Sequence, residues 1–583
     1  MQLIRLLQPT TFCHGINPDK SKKGTSMSKY VYGIDLGTTY SCIAYQSEDG
    51  RPTVIKNVDT NSDTTPSVVQ WDEEGTVVVG QEAKDSGVLL PDRTIAFVKR
   101  LMGKSNIAIT IDGRDVSPTE VSSYILKELA KQASQQLDDE VKDVIITCPA
   151  YFGEAERTAT KQAGEIAGLN VLSVIEEPTA AAICYGVTRA TENKNVMIYD
   201  LGGGTFDITI MQIANGTIRV VTTEGDHELG GKDWDTVVSR MLVDKFMEAT
   251  GSDTNPLDEE DSEEFQQDLA IKAEKLKQAL SNKQTAKQVL NFNGERAQVE
   301  VSREEFDEAT KNLVVRALQL ADKAVETAKS QNITIDDILL VGGSTKMPQI
   351  QESVKEHFGM DPKIFEPDEA VAKGAAIYAI MQADEQSKLR EDEVKETDDN
   401  GNEVAVNQTT GEKRVLPTLS GGGSALPTIG GSAASVKVIS VSTKSFGVKA
   451  TDISDGNEKI FNLILKDDPI PASITKSFAT QEDNQLGVEL RIYQNSDRVE
   501  TYDVDEDFFL GTAELSLAPN TPKNSEIQIT LDLTEDGTVK MHAMDITSGN
   551  VVDAHWKPEN VMSDKELEEA KARVSESKSI SIM

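Results

Sequence analysis

Two aspartates, each followed by a turn rich in glycine and threonine, are the residues whose types and spacing point most directly to chemistry. Asp35 ends an apolar run before Leu-Gly-Thr-Thr, and Asp200 ends another before Leu-Gly-Gly-Gly-Thr. Glycine lets the backbone approach a ligand closely, and successive N–H groups in such a turn bind anions. An aspartate at a strand end is a typical magnesium ligand. One such turn alone would more often be a simple tight turn, but two matched turns predict two related lobes that hold one polyphosphate.

The overall composition is that of a large and strongly acidic protein. The 583 residues carry a formal net charge of −38, which argues against binding to nucleic acid or to anionic membranes. No apolar run approaches the ~18 residues that a membrane span needs. The four cysteines show no CxxC or metal-ligand spacing, which favours a reducing compartment and predicts a cytoplasmic protein.

The chain divides into five segments by the character of its sequence. We expect residues 1–27 to be a disordered extension or a mis-assigned start. Residues 28–382 alternate apolar strands with helices, which indicates α/β layers. Residues 383–435 are first acidic and then rich in glycine and serine, a composition typical of a flexible linker. Short alternating strands predict an antiparallel β-sandwich over residues 436–556, and residues 557–583 offer one short helix and a polar tail.

Ordered motifs along the chain resemble those of the heat shock protein 70 (DnaK-type) chaperone family. They are Gly33-Ile-Asp-Leu-Gly-Thr-Thr-Tyr-Ser, Cys148-Pro-Ala-Tyr-Phe, Glu177-Pro-Thr-Ala-Ala-Ala, Asp200-Leu-Gly-Gly-Gly-Thr-Phe-Asp, Leu229-Gly-Gly-Lys-Asp-Trp-Asp, Val341-Gly-Gly-Ser-Thr and Phe478-Ala-Thr-Gln-Glu-Asp-Asn-Gln. The resemblance covers residues 28–382 and 436–577. It implies an α/β actin-like two-lobed ATPase domain followed by an antiparallel β-sandwich peptide-binding domain. Because the family's lid helices are missing from this sequence after Lys565-Glu-Leu-Glu-Glu-Ala570, we expect a short lid-helix stub and no full helical lid.

The resemblance also implies roles for the residues around the two turns, with ATP or ADP and Mg²⁺ as cofactors. The implied magnesium-site residues are Asp35 and Asp200, the catalytic residues are Lys99, Glu177, Thr205 and Asp207, and the phosphate-loop residues are Gly37, Thr38, Thr39, Gly202, Gly203 and Gly204. Lys99 is expected to reach the transferred phosphate, and Asp207 to lie near the attacking water. Phosphoryl transfer needs positioning and charge neutralisation more than covalent catalysis, so such a set is sufficient. Without its motif, Lys99 would be interpreted as a solvated surface charge.

The nucleoside end of the site is expected on a helix face and in a nearby turn. Residues 274, 277 and 281 follow the spacing of one helix face, for which a solvated surface is the alternative interpretation. The contacts implied by the resemblance are Glu274, Lys277, Ser281, Gly342, Gly343, Ser344, Lys346 and Asp368. We expect Gly342 to open a helix that runs to Phe358, with N–H donors directed at the nucleotide. Gln278 and Lys346 stand where other members often carry arginines. Because an amide and an ammonium stack less well than guanidinium, weaker adenine binding is expected.

The region that joins the two domains departs from the family pattern. Pro149 and Arg157 match the family's relay between nucleotide and interdomain contact, although Pro149 would also suit the end of a strand. In the linker, Ser440 stands where the family has an aspartate. Since an acidic insert precedes this linker, we expect poor docking on the acidic ATPase domain, and an ATP effect on peptide affinity below ~5-fold.

Seven residues of the β-rich part match the family's peptide cleft. They are Val448, Phe478, Thr480, Gln485, Gly487, Val488 and Leu490. Alternating residues such as Val488 and Leu490 point to one face of a strand, and packing in the sandwich core would explain them equally well. Thr451 and Gln481 replace the apolar pair that arches over the peptide. We therefore expect weak and rapidly exchanging binding of extended apolar peptides.

The predicted function is that of an ATP-dependent molecular chaperone that binds extended apolar segments of unfolded proteins, with ATP hydrolysis controlling peptide affinity. A J-domain co-chaperone and a nucleotide exchange factor are the implied partners. The alternative is a nucleotide-binding regulatory co-chaperone or scaffold with little hydrolysis. A kinase on the same fold is disfavoured by the β-rich part, and a P-loop enzyme is excluded because no GxxxxGK[ST] motif occurs.

Overall fold

The computed structural model describes residues 28–577, apart from residues 105–108, 112, 189–192, 215, 260–261, 391, 398–402, 409, 412, 418–436, 535–536 and 557–560. The expectations for residues 1–27 and for the Gly/Ser-rich part of the linker therefore lie outside the described residues. In the part of the chain that is described, no helix combines the length and the apolar character needed to cross a lipid bilayer.

The first lobe of the α/β domain is built on a mixed sheet. Its elements are β1 Tyr32–Asp35, β2 Tyr40–Gln46, β3 Pro52–Ile55, β4 Thr65–Pro66, β5 Val68–Trp71, β6 Val77–Val79, α1 Gln81–Ser86, β7 Thr94–Ala96, β8 Ile109–Ile111, β9 Arg114–Val116, α2 Pro118–Leu137, β10 Asp143–Cys148, α3 Glu154–Ile166, β11 Asn170–Glu176 and α4 Glu177–Thr188. β1 forms an antiparallel hairpin with β2 and pairs in parallel with β10, which pairs in parallel with β11. All of β10 is buried, as expected for a parallel strand covered on both faces.

The second lobe repeats this plan. Its elements are β12 Lys194–Leu201, β13 Phe206–Ala214, β14 Thr217–Asp226, α5 Gly231–Thr250, α6 Glu263–Asn282, β15 Thr285–Phe292, β16 Glu295–Ser302, α7 Arg303–Ser330, β17 Asp337–Val341, α8 Pro348–Phe358, β18 Lys363–Ile364 and α9 Ala370–Gln386. β12 forms an antiparallel hairpin with β13 and pairs in parallel with β17, as β1 does with β2 and β10. The structure thus contains the two related lobes that the matched turns predict.

The predicted helix from Gly342 to Phe358 is divided in two. A 3₁₀ turn covers Gly343–Lys346, and the α-helix α8 begins only at Pro348. Proline has no N–H and suits the first position of a helix, so it starts a new helix here instead of continuing the turn. The prediction of one continuous helix was wrong.

Part of the segment predicted to be flexible coil is a small sheet. It consists of β19 Glu393–Thr397, β20 Glu403–Asn407 and β21 Lys413–Val415, all antiparallel. Arg414 Nε donates to Glu393 Oε1 at 2.8 Å, and Arg414 NH1 donates to the carbonyl of Gln386 at 2.5 Å, which fastens the sheet to the end of α9. The prediction of coil was wrong for these strands, because Val404 and Val406 supply a strand pattern within an otherwise polar composition.

The β-rich part forms the predicted antiparallel sandwich. The remaining elements are β22 Lys437–Val441, β23 Ser445–Thr451, β24 Glu458–Ile464, β25 Pro469–Ile470, β26 Ala472–Ala479, β27 Gly487–Asn495, β28 Thr501–Asp503, β29 Phe509–Ser516, β30 Glu526–Leu533, β31 Val539–Asp545, β32 Val551–Trp556 and α10 Asp564–Glu576. One sheet has the order β28-β24-β23-β27-β29 and the other β26-β30-β31-β32. Their facing side chains form one core that includes Ile492, Leu531 and Val539.

The linker strand β22 belongs to the second lobe and not to the sandwich. It pairs in parallel with β14, where Val438 lies opposite Ile218, and β25 pairs with its other edge. Val441 is buried in a core cluster of the α/β domain, whereas Lys437 stays exposed. The linker strand is therefore docked on the α/β domain in this structure, whereas the sequence predicted poor docking; the boundary at residue 436 and the ATP effect below ~5-fold stay predictions. The open edge of β14 offers unpaired backbone groups, and β22 has apolar side chains to bury there.

The sandwich and the last helix both contact the α/β domain. Lys466 Nζ of the sandwich donates to Glu224 Oε1 of β14 at 2.6 Å. In α10, Ala570 and Val574 are buried in the core cluster of the first lobe, where α10 contacts α2 and α3. The sandwich, the linker strand and the last helix therefore all contact the α/β domain.

Candidate functional site

A cavity of about 680 Å³ lies between the two lobes, which is within the usual range for a small-molecule site. The predicted site residues that line it are Asp35, Gly37, Thr38, Thr39, Lys99, Glu177, Asp200, Gly202, Gly203, Thr205, Glu274, Lys277, Ser281, Gly342, Gly343, Ser344, Lys346 and Asp368. Two predicted residues, Gly204 and Asp207, lie behind this surface and do not line it. The structure therefore brings nearly the whole predicted set around one cavity.

The two glycine- and threonine-rich turns contact each other at the base of this cavity. A Cβ atom on Gly203 would lie 1.9 Å from Thr39 Oγ1, and one on Gly204 would lie 2.2 Å from Thr38 Cγ2. Only glycine allows this approach. The buried Thr39 hydroxyl has no hydrogen-bond partner within the described part of the chain, so it remains available to a ligand oxygen.

Buried and half-buried carboxylates converge beside the turns. Asp35 ends β1, Asp200 and Asp207 lie opposite each other in the β12–β13 hairpin, and Glu177 is the first residue of α4. Burial and the charge of Glu177 raise the pKa of Asp35 to about 7. The same two causes raise the pKa of Asp200 and of Asp207. Such a concentration of buried negative charge favours the binding of a cation.

Lys99 is the ammonium that faces these acids. It lies in the 3₁₀ turn Val98–Leu101, is 4 % exposed, and donates a hydrogen bond to Glu177. Burial alone would lower the pKa of Lys99, but the charges of Glu177 and Asp35 outweigh it and raise the pKa. Lys99 therefore stays charged in the interior, where its electrostatic effect is strongest.

The acids do not form a ready-made metal cage. In residues 28–577, outside the gaps given above, no three His, Cys, Asp or Glu side chains stand close enough together to hold a metal ion by themselves. Magnesium is usually held by one or two carboxylates together with water and substrate phosphates. Asp35 and Asp200, with pKa values raised by burial, fit such a partial ligand set.

The opposite end of the cavity is formed by one face of α6. Glu274, Lys277 and Ser281 all reach it. Glu274 accepts hydrogen bonds from Tyr40 OH at 2.9 Å and from Lys84 Nζ at 2.5 Å, both in the first lobe. Lys84 could not be predicted from the sequence, because this contact joins two lobes and no local motif signals it.

The turn after β17 completes the wall. Gly342 has φ 83°, and a Cβ there would lie 2.6 Å from Asp200 Oδ1, so the position requires glycine. Ser344 Oγ donates to the carbonyl of Gly202 at 2.8 Å, which joins this turn to the second phosphate turn. Lys346 pairs with Asp368 at the rim.

The predicted relay residues lie between the cavity and the linker strand. Arg157 NH2 donates to Glu176 Oε1 at 2.6 Å, and Ser440 Oγ of β22 donates to the same oxygen at 3.1 Å. Arg157 Nε also donates to the carbonyl of Phe152, whose own N–H donates to the carbonyl of Pro149. Glu176 was not among the predicted residues.

The seven predicted peptide-cleft residues have different environments. Buried ones are Val448, Thr480 and Leu490, half-buried ones are Phe478, Gln485 and Val488, and Gly487 is exposed. Val448 and Leu490 belong to the sandwich core, which agrees with the alternative interpretation of such residues. Gln481 Nε2 donates to Thr451 Oγ1 at 2.6 Å, so the two polar residues expected above the peptide are joined.

Comparisons with known proteins agree with the resemblance. The family model described as "Hsp70 protein" matches residues 31–395 and 430–580. "Chaperone protein DnaK" of Thermotoga neapolitana is 37 % identical over 531 residues, which are 89 % of this chain and 79 % of the relative. "Chaperone protein DnaK" of Thermosipho melanesiensis is 35 % identical over 560 residues, covering 94 % of this chain and 84 % of the relative.

These matches confirm the resemblance, the predicted ATPase activity and the predicted chaperone function, because they cover both the two-lobed domain and the sandwich. This chain belongs to the Hsp70 family of ATP-dependent chaperones.

Proposed function

We propose that ATP, and ADP after hydrolysis, bind with Mg²⁺ in the cavity between the lobes, and that the bound nucleotide controls the affinity of the sandwich for extended apolar peptides. The observation that carries this proposal is the contact between the two glycine- and threonine-rich turns beside the buried acids and Lys99. The backbone N–H groups of both turns and the free Thr39 hydroxyl would hold the phosphates.

The residues at the base of the cavity have distinct proposed roles in hydrolysis. Lys99 neutralises the charge of the transferred phosphate, and Glu177 holds the Lys99 ammonium in place. Asp35 and Asp200 would hold the magnesium ion, which supplies positive charge to the phosphate oxygens when bound. Asp207 is fixed by the Ala150 N–H at 3.1 Å and orients the attacking water. Thr205 lines the cavity beside the second turn.

The nucleoside is proposed to bind at the other end, where Glu274, Lys277 and Ser281 contact the ribose and base. Lys346 and Asp368 would close the rim over the adenine. Because Lys346 and Gln278 provide an ammonium and an amide instead of guanidinium groups, stacking on adenine is weak.

We propose that a cleft of the sandwich binds unfolded segments by backbone hydrogen bonds and one apolar pocket. Exposed Gly487 and the half-buried Phe478, Gln485 and Val488 are available for such contacts. A J-domain co-chaperone and a nucleotide exchange factor are the proposed partners, on the strength of the family alone.

The proposed compartment is the cytoplasm. Among the described residues, Cys42 and Cys148 are buried free thiols, as is usual in a reducing environment.

A steady-state ATPase assay with and without an apolar peptide tests this function. We expect hydrolysis that requires Mg²⁺ and that changes when the peptide is added. A matched peptide in which aspartates replace the apolar residues serves as the control and is expected to have no effect. Binding of ATP without turnover would instead support the regulatory alternative.

A further inference from the structure

Lys232 lines the cavity between the lobes without forming an ion pair to any described residue. It is the second residue of α5 and is half-buried. The other lysines of the cavity wall each pair with a carboxylate, namely Lys99 with Glu177, Lys277 with Asp235 and Lys346 with Asp368. Within the described part of the chain, Lys232 therefore provides the one ammonium of the cavity wall that is left for a ligand.

The backbone of Lys232 is fixed to the second glycine- and threonine-rich turn. Its N–H donates to the carbonyl of Gly203 at 2.8 Å, and the N–H of the preceding Gly231 donates to the carbonyl of Gly202 at 3.0 Å. The Lys232 ammonium lies 4.2 Å from the centre of the Phe97 ring, and Phe97 directly precedes the 3₁₀ turn that carries the catalytic lysine. Lys232 therefore stands between one proposed phosphate-binding turn and the segment that provides the catalytic ammonium.

The surroundings of Lys232 compensate its charge poorly. Burial and the nearby Arg100 guanidinium lower the pKa of Lys232, and the charge of Asp233 opposes them only in part. Asp233 already accepts hydrogen bonds from Arg100 NH2 at 2.7 Å and from the Gly230 N–H at 2.8 Å. The Phe97 ring is the other partner, and an aromatic ring attracts an ammonium less strongly than a phosphate oxygen does. A bound phosphate would therefore draw the ammonium away from the ring.

We propose that Lys232 is a further phosphate-binding residue, which binds the terminal phosphate of ATP and then the inorganic phosphate that hydrolysis leaves. The inference rests on the proposed function, because it requires the nucleotide phosphates to lie at the two turns. ADP lacks the terminal phosphate, so Lys232 favours ATP over ADP. Because Lys232 also holds the cleaved phosphate, it slows the release of that product.

Binding of inorganic phosphate to the full chain loaded with magnesium-ADP tests the proposal without any turnover. Lys232→Met keeps an apolar side chain of similar reach but removes the ammonium. Equilibrium dialysis of radioactive phosphate is expected to show an affinity at least about tenfold lower in this variant, while its ADP affinity stays within about 2-fold of the parent. Lys232→Arg retains a phosphate-binding cation, so its phosphate affinity is expected to stay within about 3-fold of the parent. After a single turnover of ATP, phosphate release from Lys232→Met is expected to be about tenfold faster.

Lys275→Met is the matched control, because it removes the same charge from an exposed position of the second lobe that does not line the cavity. It should leave phosphate affinity unchanged, since salt screens the field of an exposed charge. Equal phosphate affinity in Lys232→Met and the parent would overturn the proposal, as would equal losses in Lys232→Met and in either Lys275→Met or Lys232→Arg. A parent chain that binds no ADP would refute the proposed function, whereas one that binds ADP but no phosphate would overturn this inference alone.

Discussion

The ion pair between Lys84 and Glu274 offers a test of how the lobes close over the nucleotide. Lys84 belongs to α1 of the first lobe and Glu274 to α6 of the second, and Lys84 Nζ lies 2.5 Å from Glu274 Oε2. Tyr40 OH donates to the other carboxylate oxygen at 2.9 Å. Because this network spans the mouth of the cavity, it has to break before the lobes separate and release the nucleotide.

The magnitude follows from the partial burial of the pair. An exposed ion pair contributes ~0–1 kcal/mol, whereas removal of one partner from a fully buried pair costs ~3–5 kcal/mol. The two side chains are 15 % and 14 % exposed, so we adopt an intermediate value of about 2 kcal/mol. Burial would raise the pKa of Glu274, but Lys84 outweighs it and lowers the pKa, which shows that the interaction is attractive. Lys84→Ala is therefore expected to release nucleotide about 25-fold faster.

Stopped-flow release of a fluorescent ADP, chased with unlabelled ADP, measures this rate. Lys56→Ala, which removes an exposed ion pair with Asp63 in the same lobe, is the control and should not alter release. If Lys84→Ala releases ADP at the parent rate, the pair does not restrain opening and the reasoning is refuted.

Three further predictions concern the acids, the turns and the last helix. Affinity for magnesium-nucleotide should rise about tenfold from pH 6 to pH 8, because cation binding requires ionised Asp35, whose pKa is about 7. Calorimetry in two buffers measures the protons released on binding, and release of none would contradict this prediction. Gly203→Ala should lower ATP affinity at least about tenfold, because the added Cβ would lie 1.9 Å from Thr39 Oγ1 and would force the turns apart. Unchanged affinity by calorimetry would show that the turns adjust freely. Val574→Asp buries a charge against the first lobe and should therefore detach α10. Hydrogen exchange of the α10 amides should then be faster, while ATP affinity should not change.

The proposed phosphate-binding part of the cavity could be predicted from the sequence because its signals are local. Asp35 and Asp200 each stand at the end of an apolar strand, directly before a turn that only glycine and small hydroxyl residues can form. The structure places both turns in contact, as two matched signals require. Glu274 and Ser281 also line this cavity, as the resemblance implied, whereas their helix spacing alone would equally suit a solvated face.

The features that could not be predicted depend on contacts between distant segments. Lys84 and Glu176 acquire their partners only when two lobes, or a lobe and the linker, come together. The docking of β22 depends on the open edge of β14, whose availability is a property of the sheet and not of the linker sequence. Net charge suggested repulsion between the acidic linker and the acidic α/β domain. In the structure, however, strand pairing and the burial of Val441 hold β22 on that domain.

Single-turnover hydrolysis by Lys99→Ala, measured together with its ATP affinity, tests the central claim most directly. Lys99 is the buried ammonium that faces Glu177 and Asp35, whereas the two turns are proposed to provide most of the contacts that hold the phosphates. We predict that hydrolysis falls by about 100-fold or more while ATP affinity stays within a few-fold of the parent. Hydrolysis at the parent rate would contradict the account.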